Sequence, residues 1–397
     1  MALTLQTLFN STAGLYRLKL LAGRKGMRHP VSWMYYTEDT STIDFIRGGE
    51  LALTTGMNIE RTKPAGVSDG YAYAVDYLTR LITCLHELDA AGLIINTGKY
   101  VNEIPEEIKK ICDTLHFPLF SMPWEIHIVD IMQDYGNRIV SERQKRKTVS
   151  ELFYNALFNP QKFDAAELGD TSFDKAVSYG IVLLELPEEL FRKSDDELFR
   201  YIDYSFNARL DFPQSRFCWF IHDHKVVYVF HDNPEQPGAV ISSISSEDQY
   251  FRLMKTAVSG TCPSPAGLFH EYEHAVLALR FCRDGERLSC YSGLGIFKLL
   301  SEIPDRTVLE QYYEDILGKL AVLGTDKRAD YLKTLRLYID NSCRVAAAAQ
   351  ENSTHRNTVN YRIHKVKEIL GVDIDDAEVR YRIRTALYIR ELIDRTK

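Results

Sequence analysis

Two histidines and a glutamate form the first candidate for chemistry, in the sequence His-Glu-Tyr-Glu-His over residues 270–274. On a helix, histidines four residues apart can bind zinc while the glutamate between them acts as a general base. Residues 275–281 supply no third ligand, and the motif follows the loop 263–267, which predicts a solvent-facing first turn where carboxylates favour the helix dipole. We therefore interpret the match as a coincidence.

Other catalytic and cofactor patterns are weak or missing. His222-Asp223-His224 could bind a metal, but polar residues are expected at the tip of the hairpin predicted there. The chain has no glycine-rich phosphate loop, and Gly293-Leu-Gly295 lacks the third glycine of a dinucleotide fingerprint. The seven cysteines are scattered without a Cys-x-x-Cys pair. The sequence therefore predicts no catalytic residue, no metal and no cofactor, and we do not expect an enzyme.

The most informative residues lie between 341 and 371. Residues 345–350, rich in alanine, predict a short helix that packs closely on a neighbour, and the polar turn 351–354 follows. Val359, Ile363, Val366 and Leu370 then form one apolar stripe at helical spacing. Gly371 is expected to end this helix. Two helices joined by a four-residue turn predict a helix-turn-helix.

The polar residues of the second helix point away from this stripe. Amide and imidazole groups suit base edges, and arginine and lysine suit phosphates. A plain surface helix would carry more glutamate, whereas this one has only Glu368. The candidate DNA-binding residues are Arg356, Asn357, Thr358, Asn360, Tyr361, Arg362, His364 and Lys365.

The charge distribution agrees with a nucleic-acid partner at the C-terminus. Residues 327–397 hold 15 Lys and Arg against 10 Asp and Glu, a net charge of +5. The remaining 326 residues carry a net charge of −12. Only the tail is therefore expected to meet a polyanion, here a double-stranded DNA operator. No apolar run approaches the ~20 residues of a membrane helix and no secretory signal is present, so we expect a cytoplasmic protein without a membrane partner.

The first ~125 residues alternate strand and helix patterns. Strands at 31–36, 51–54, 92–96 and 118–122, with helices at 71–90 and 105–115, predict a mainly parallel, doubly wound α/β sheet. Ligands of such sheets bind beyond the carboxyl ends of the strands. The residues there are small or polar, which fits either a small-molecule site or ordinary loop chemistry. The candidate ligand-binding residues are Thr37, Glu38, Thr55, Asn58, Asn96, Thr97 and Trp124.

The middle of the chain is expected to hold a connector and a second α/β domain. Residues 126–158 predict a long helix, which is interpreted as an interdomain connector and candidate dimer helix. Its basic run 141–148 is interpreted as a solvated face. Strands at 179–186, 217–221, 226–230, 256–259 and 288–291, with helices at 195–210, 249–254 and 269–283, predict a ferredoxin-like β-α-β-β-α-β order. After Pro304 the chain is expected to be helical.

The sequence also resembles a known family. His355-Arg-Asn-Thr-Val-Asn-Tyr-Arg-Ile363 and Leu370-Gly-Val-Asp-Ile-Asp-Asp376 closely resemble the C-terminal helix-turn-helix of PucR-type (purine catabolism regulator) transcription factors. Residues 48–56 and 118–124 resemble the family's N-terminal sensory domain, and 179–291 resembles its central domain, a degenerate relative of the GGDEF cyclase fold. The resemblance implies a ligand-responsive, sequence-specific DNA-binding regulator of bacterial metabolism, with a purine-derived or amino-acid-like effector.

The expected organisation follows from both kinds of reasoning. Residues 1–125 form the ligand-sensing domain, 126–160 the connector, 170–300 the GGDEF-like domain, and 305–397 a helical domain with the helix-turn-helix at 341–371. The hairpin tip at 222–225 lacks the glycine pair of active cyclases, and Glu185 alone cannot hold two metals, so the central domain is expected to be a scaffold. Paired half-sites predict a homodimer or larger oligomer. Two alternatives remain open: a nucleotide-sensing regulator that uses the central domain, and an adaptor that does not bind DNA.

Overall fold

A computed structural model describes residues 3–63, 70–169, 171–173, 176–192, 194–210, 212–283 and 285–396. The chain forms two compact units, residues 1–273 and residues 274–397. None of the helices in the described ranges combines the length and apolarity needed to cross a bilayer.

The first unit begins with a five-stranded sheet in the order β1-β5-β4-β3-β2. Its strands are β1 (Lys19–Ala22), β2 (Trp33–Tyr36), β3 (Glu50–Thr54), β4 (Gly92–Thr97) and β5 (Leu119–Pro123). The helices around it are α1 (Leu5–Thr12), α2 (Met57–Arg61), α3 (Gly70–Glu87), α4 (Glu106–Thr114) and α5 (Ile128–Phe158). Strands β2 to β5 are parallel, and β1 pairs antiparallel with β5 at the edge.

The predicted α/β architecture is confirmed, but the doubly wound topology is wrong. Strands β2, β3, β4 and β5 neighbour each other in chain order, so the order never reverses. Because crossovers of parallel strands are normally right-handed, such an order places its connecting helices on one face. Here Leu81 of α3 and Ile108 of α4 both pack with Leu93 of β4. The other face is covered by α1 and α5, where Tyr135 packs with Ile94. The second helical layer thus consists of α1, which precedes the first strand, and α5, which follows the last strand of this sheet. The alternation of strands and helices along the chain does not reveal this layer.

Helix α5 connects this sheet to the centre of the chain. Its first half buries Ile131, Tyr135 and Ile139 beside the N-terminal sheet, and its second half buries a separate set, Leu152, Phe153, Ala156 and Leu157. The expectation that the basic run 141–148 is wholly solvated is wrong for Arg146. Its guanidinium donates to both carboxylate oxygens of Asp203, at 2.8 and 2.6 Å, and Asp203 is only 2 % exposed.

The central region is also mixed α/β, as expected. Its strands are β6 (Tyr179–Glu185), β7 (Phe217–His222), β8 (Lys225–His231), β9 (Thr256–Cys262) and β10 (Leu288–Cys290). Its helices are α6 (Glu188–Phe191), α7 (Asp195–Arg200), α8 (Glu235–Glu247) and α9 (Leu268–Phe281). Strands β9, β6, β8 and β7 lie side by side, each antiparallel to the next.

Two predicted helices of this region are placed differently. The helix predicted at 249–254 is wrong, because α8 lies before it and ends at Glu247. Pro237 falls in the first turn of α8, where a residue without an N–H is tolerated, so the Pro-Gly pair that suggests a loop does not prevent the helix. The helix predicted at 195–210 continues beyond α7 as a π-helical stretch over Tyr201–Phe206.

Both candidate metal motifs contain side chains that pack in the fold, although His270 is exposed. Asp223 and His224 form a two-residue hairpin turn with φ of +45° and +57°, and the His222 ring stacks on Phe158 at 3.7 Å. In α9 the predicted exposure is wrong for two residues. Glu271 is buried, and the His274 ring stacks on Tyr291 at 3.7 Å.

The second unit is helical towards its end, as expected. After the end of α9 and β10, its helices are α10 (Ile296–Ser301), α11 (Arg306–Leu317), α12 (Thr325–Asp340), α13 (Val345–Glu351), α14 (Arg356–Leu370) and α15 (Ala377–Thr396).

Candidate nucleic-acid interface and small-molecule site

Helix α14 is fixed by the apolar stripe that the sequence predicts. Val359, Ile363, Val366 and Leu370 are all buried, and the helix packs on α12 and α13. Ala348 of α13 is also fully buried, so its small side chain permits the close approach of the two helices. The prediction of a helical C-terminal domain with a helix-turn-helix is confirmed.

Local hydrogen bonds set the two ends of α14. The His355 imidazole accepts from the backbone N–H of Asn357 at 3.2 Å, which caps the first turn. At the other end Gly371 has φ of +68°, and its N–H donates to the Lys367 carbonyl at 2.9 Å. Glycine adopts this left-handed conformation without strain, so the helix ends there as predicted.

The face of α14 opposite the stripe is open and has no carboxylate before Glu368. The exposed side chains belong to Arg356, Asn357, Asn360, Tyr361 and His364, while Thr358 and Lys365 are half-buried at the borders. These exposed donors and acceptors on one helix face are of the kind that fits the major groove of B-DNA, where base edges present complementary groups.

Arg362 differs from the other candidate DNA-binding residues because the protein already binds its guanidinium. One nitrogen donates to an Asp330 carboxylate oxygen at 2.8 Å and another to the Thr334 hydroxyl at 3.0 Å. The guanidinium also lies 5.8 Å from the centre of the Tyr331 ring. Arg362 therefore holds α14 in place on α12, and a phosphate contact would require these bonds to break.

Among the described residues, Lys365 forms an ion pair with Glu368 at the protein surface. Its ammonium lies 3.0 Å from the Glu368 carboxylate, and this hydrogen bond raises the pKa of Lys365 above its usual value. The side chain therefore stays cationic. Exposed pairs of this kind contribute little to stability, so Lys365 can exchange Glu368 for a phosphate.

Replacing Arg362 by alanine is expected to loosen the helix-turn-helix by about 1–2 kcal/mol, because the hydrogen bond to buried Thr334 and the half-exposed ion pair are lost. Hydrogen exchange of the α12 and α14 amides should accelerate by about 5–30-fold. The matched control is Arg356→Ala, which removes an exposed arginine of the same helix and should leave exchange unchanged. Equal exchange in both variants would show that Arg362 does not position α14.

At the strand ends of the N-terminal sheet, the Glu38 carboxylate holds the loop after β3 through hydrogen bonds. Its carboxylate accepts from the backbone N–H and hydroxyl of Thr55 at 2.8 and 2.6 Å, from the Met57 N–H at 2.9 Å, and from the Tyr36 hydroxyl at 2.6 Å. Gly56, which lies between Thr55 and Met57, has φ of +70°, and a Cβ at this position would lie 2.4 Å from the Val101 side chain. This loop conformation therefore requires glycine.

Asp39 joins this group, although sequence reasoning left it out. The Asn58 amide donates to its carboxylate at 3.1 Å, and the Thr37 hydroxyl donates to its backbone carbonyl at 2.7 Å. Hydrogen bonds from Ser41 hold the pKa of Asp39 below its usual value, so it is ionised. The structure thus brings Thr37, Glu38, Thr55 and Asn58 together around the end of β3.

The candidates at the ends of β4 and β5 form a separate part of this edge. Asn96 is 1 % exposed, and its amide donates to the Pro123 carbonyl at 3.1 Å, so it ties β4 to β5. The Thr97 hydroxyl donates to the Met122 carbonyl at 3.4 Å. Trp124 is more open and meets Tyr100 edge-on at 5.6 Å.

Comparison with known proteins gives family matches in two regions of the chain. Residues 10–139 match the purine catabolism regulatory protein-like family, and residues 331–389 match the PucR C-terminal helix-turn-helix domain. The resemblance to PucR-type regulators inferred from the sequence is thereby confirmed at both ends of the chain.

Three relatives from Bacillus subtilis are similar over parts of the chain. The proline-responsive transcriptional activator PutR is 31 % identical over 27 % of this chain and 25 % of its own length. The purine catabolism regulatory protein is 28 % identical over 36 % of this chain and 28 % of its own length. The DNA-binding transcriptional activator AdeR is 24 % identical over 34 % of this chain and 33 % of its own length. The chain therefore covers between a quarter and a third of the length of these relatives.

Among solved structures, a regulator of polyketide synthase expression from Bifidobacterium adolescentis is 16 % identical, with 61 % of this chain and 97 % of that chain covered. Its TM-score of 0.28 is too low to indicate a shared fold.

Proposed function

We propose that this chain, whose two ends match the purine catabolism regulatory protein-like family and that family's C-terminal helix-turn-helix domain, is a ligand-responsive, sequence-specific DNA-binding transcriptional regulator. It is proposed to regulate bacterial purine, nitrogen or amino-acid catabolism, the class of pathway that the names of two relatives indicate. The observation that carries the proposal is the two-sided character of α14. One face of this helix is buried, and the opposite face exposes amide, imidazole and cationic groups.

The proposed contacts follow from the directions of these side chains. Asn357, Asn360 and His364 read base edges, Arg356 and Lys365 bind phosphates, and Thr358 and Tyr361 line the same surface. Arg362 is proposed to orient the helix through Asp330.

Selection of duplexes from a random pool by the full chain tests this proposal. A DNA-binding regulator should enrich one sequence and bind it about 10³-fold or more tightly than its scrambled counterpart. An adaptor that does not bind DNA would enrich none.

The N-terminal sheet is proposed to bind a purine-derived or amino-acid-like effector at its strand ends, with Thr37, Glu38, Thr55, Asn58, Asn96, Thr97 and Trp124 forming or supporting the site. Helix α5 packs on this sheet and also contacts β7 of the central sheet, so it is a continuous connection along which occupancy can bias one arrangement of the chain.

The central region is proposed to be a degenerate GGDEF-like scaffold without catalytic activity, spanning residues 170–300. The strand order β9-β6-β8-β7 is that of a ferredoxin-like sheet and supports this assignment. The turn Asp223-His224 offers no glycine for close approach of a nucleotide, which favours a scaffold over an enzyme or a nucleotide sensor.

The protein is expected to be a homodimer or a larger homo-oligomer. One reading helix contacts only a few base pairs, and specific binding normally pairs two half-sites ~34 Å apart or a multiple of that distance. Sedimentation at the concentrations used for DNA binding should therefore give at least twice the chain mass of 45.6 kDa. A monomer that binds the selected duplex with full affinity would contradict this expectation.

A further inference from the structure

The hydroxyl of Thr334 in α12 joins the two helices of the helix-turn-helix. Thr334 is 1 % exposed, and its hydroxyl donates to the Asp330 carbonyl one turn earlier in α12, at 2.8 Å. The Thr334 oxygen accepts from the Arg362 guanidinium of α14 at 3.0 Å. It also accepts from the side-chain amide of Asn352, the residue after α13, at 3.3 Å. One buried oxygen therefore connects α12, α14 and the turn between α13 and α14.

These three hydrogen bonds use the full capacity of the Thr334 hydroxyl, which has one donor and two acceptor lone pairs. Hydrogen bonds weaken steeply when their distance or angle leaves the preferred range, so Arg362 and Asn352 can both reach the oxygen only over a narrow range of helix orientations. Thr354 in the same turn gives a contrast, because its buried hydroxyl has no hydrogen-bond partner within the described ranges. The two threonines therefore differ in what their hydroxyls hold together.

The orientation of α14 matters more for base contacts than for phosphate contacts. A short side chain such as Asn360, proposed to read a base edge, must be held within about 0.5 Å of its productive position. The flexible stem of Lys365 can follow a phosphate through a small shift of the helix. Arg362 also keeps its bond to the Asp330 carboxylate, at 2.8 Å, when the Thr334 hydroxyl is removed. Loss of this hydroxyl should therefore reorient α14 without releasing it.

We propose that Thr334 is a positioning residue for the reading of DNA sequence, because its hydroxyl fixes the orientation of α14 relative to α13. Thr334 is buried, so it acts through Arg362 and Asn352 rather than by touching DNA. The inference rests on the proposed function and assigns part of its sequence specificity to a residue behind the reading face.

Substitutions that separate the hydroxyl from the shape of the side chain test the inference in the full chain. Thr334→Val keeps the shape and removes the hydroxyl, whereas Thr334→Ser keeps the hydroxyl and removes a methyl group. Affinities for the selected and the scrambled duplex are measured at one salt concentration. We expect Thr334→Val to lower the ratio of these affinities about tenfold while the affinity for scrambled DNA changes less than about twofold. Thr334→Ser should keep the ratio within about threefold of its original value.

A role in packing alone predicts the reverse order, because valine fills the site and serine leaves a cavity. The matched control is Thr354→Val, the same substitution in the turn, which should leave the ratio unchanged. A ratio that survives Thr334→Val, or that falls further in Thr334→Ser, would overturn the inference. Circular dichroism checks folding. If Thr334→Val does not fold, Asn352→Ala decides, because loss of one of the three bonds should lower the ratio about threefold and an unchanged ratio contradicts the inference.

Hydrogen exchange of the amides of residues 352–355 is measured in the same samples without DNA. A chain that enriches a duplex whose preference survives Thr334→Val keeps the proposed function and loses the inference. If the chain enriches no duplex, the proposed function fails, and the exchange rates decide whether Thr334 orients α14. Faster exchange in Thr334→Val than in Thr334→Ser supports this orientation, and equal exchange overturns it.

Discussion

Replacement of Asp203 by asparagine is expected to destabilise the first unit by about 3–5 kcal/mol, because it leaves a partly buried arginine without its carboxylate. Asp203 is 2 % exposed, and the Arg146 side chain is 22 % exposed. The indole N–H of Trp219 also donates to Asp203 at 3.2 Å, so two partly buried donors lose their anion. Urea titration followed by tryptophan fluorescence measures the loss, with Trp219 next to the altered group.

The control for this prediction is Glu151→Gln in the same helix. Glu151 lies 3.8 Å from Lys147 on the exposed surface of α5, so the free energy of unfolding should change by less than about 1 kcal/mol. A similar small change in Asp203→Asn would mean that the pair between α5 and the central region does not stabilise the unit.

The second large effect is expected at the DNA. Replacing exposed Asn360 by alanine should cost about 1–3 kcal/mol on the selected duplex and relax its preference at one position, because a base-edge contact is lost. Lys365→Ala should instead weaken selected and scrambled DNA equally and reduce the salt slope by about one, because a phosphate contact is lost.

Binding isotherms on both duplexes at several salt concentrations separate these two roles, and each variant serves as the other's control. An equal loss of affinity on both duplexes in Asn360→Ala, or a loss confined to the selected duplex in Lys365→Ala, would contradict the proposed rotation of α14 about its axis.

Helix α14 could be predicted from the sequence because the pattern that defines it is local. Val359, Ile363, Val366 and Leu370 repeat at the period of a helix, and Gly371 marks its end, so both the buried face and the length follow from spacing. The role of Arg362 could not be predicted in this way. Helical angles give the direction of its side chain but not the neighbour, and Asp330 of α12 comes from another part of the chain.

At the strand ends of the N-terminal sheet, too, the sequence predicts the position of residues along the chain but not their contacts. The strand ends are recognisable because apolar runs stop at polar residues, and the structure places two of these residues, Glu38 and Thr55, in hydrogen-bond contact. Asn96 also ends an apolar run, but it is 1 % exposed and its amide donates to the Pro123 carbonyl. Its burial depends on how β4 pairs with β5, which sequence periodicity does not specify.

The most direct test of the central claim compares the full chain with a triple variant, Asn357→Ala/Asn360→Ala/His364→Ala, on selected and scrambled duplexes at one salt concentration. The three substituted side chains are exposed and lie outside the apolar stripe, so the variant should fold and keep its affinity for nonspecific DNA. We expect the ratio of affinities for selected and scrambled duplexes, about 10³-fold or more in the unaltered chain, to fall close to one. Undiminished preference in the triple variant would show that sequence is read elsewhere and would contradict α14 as the reading helix.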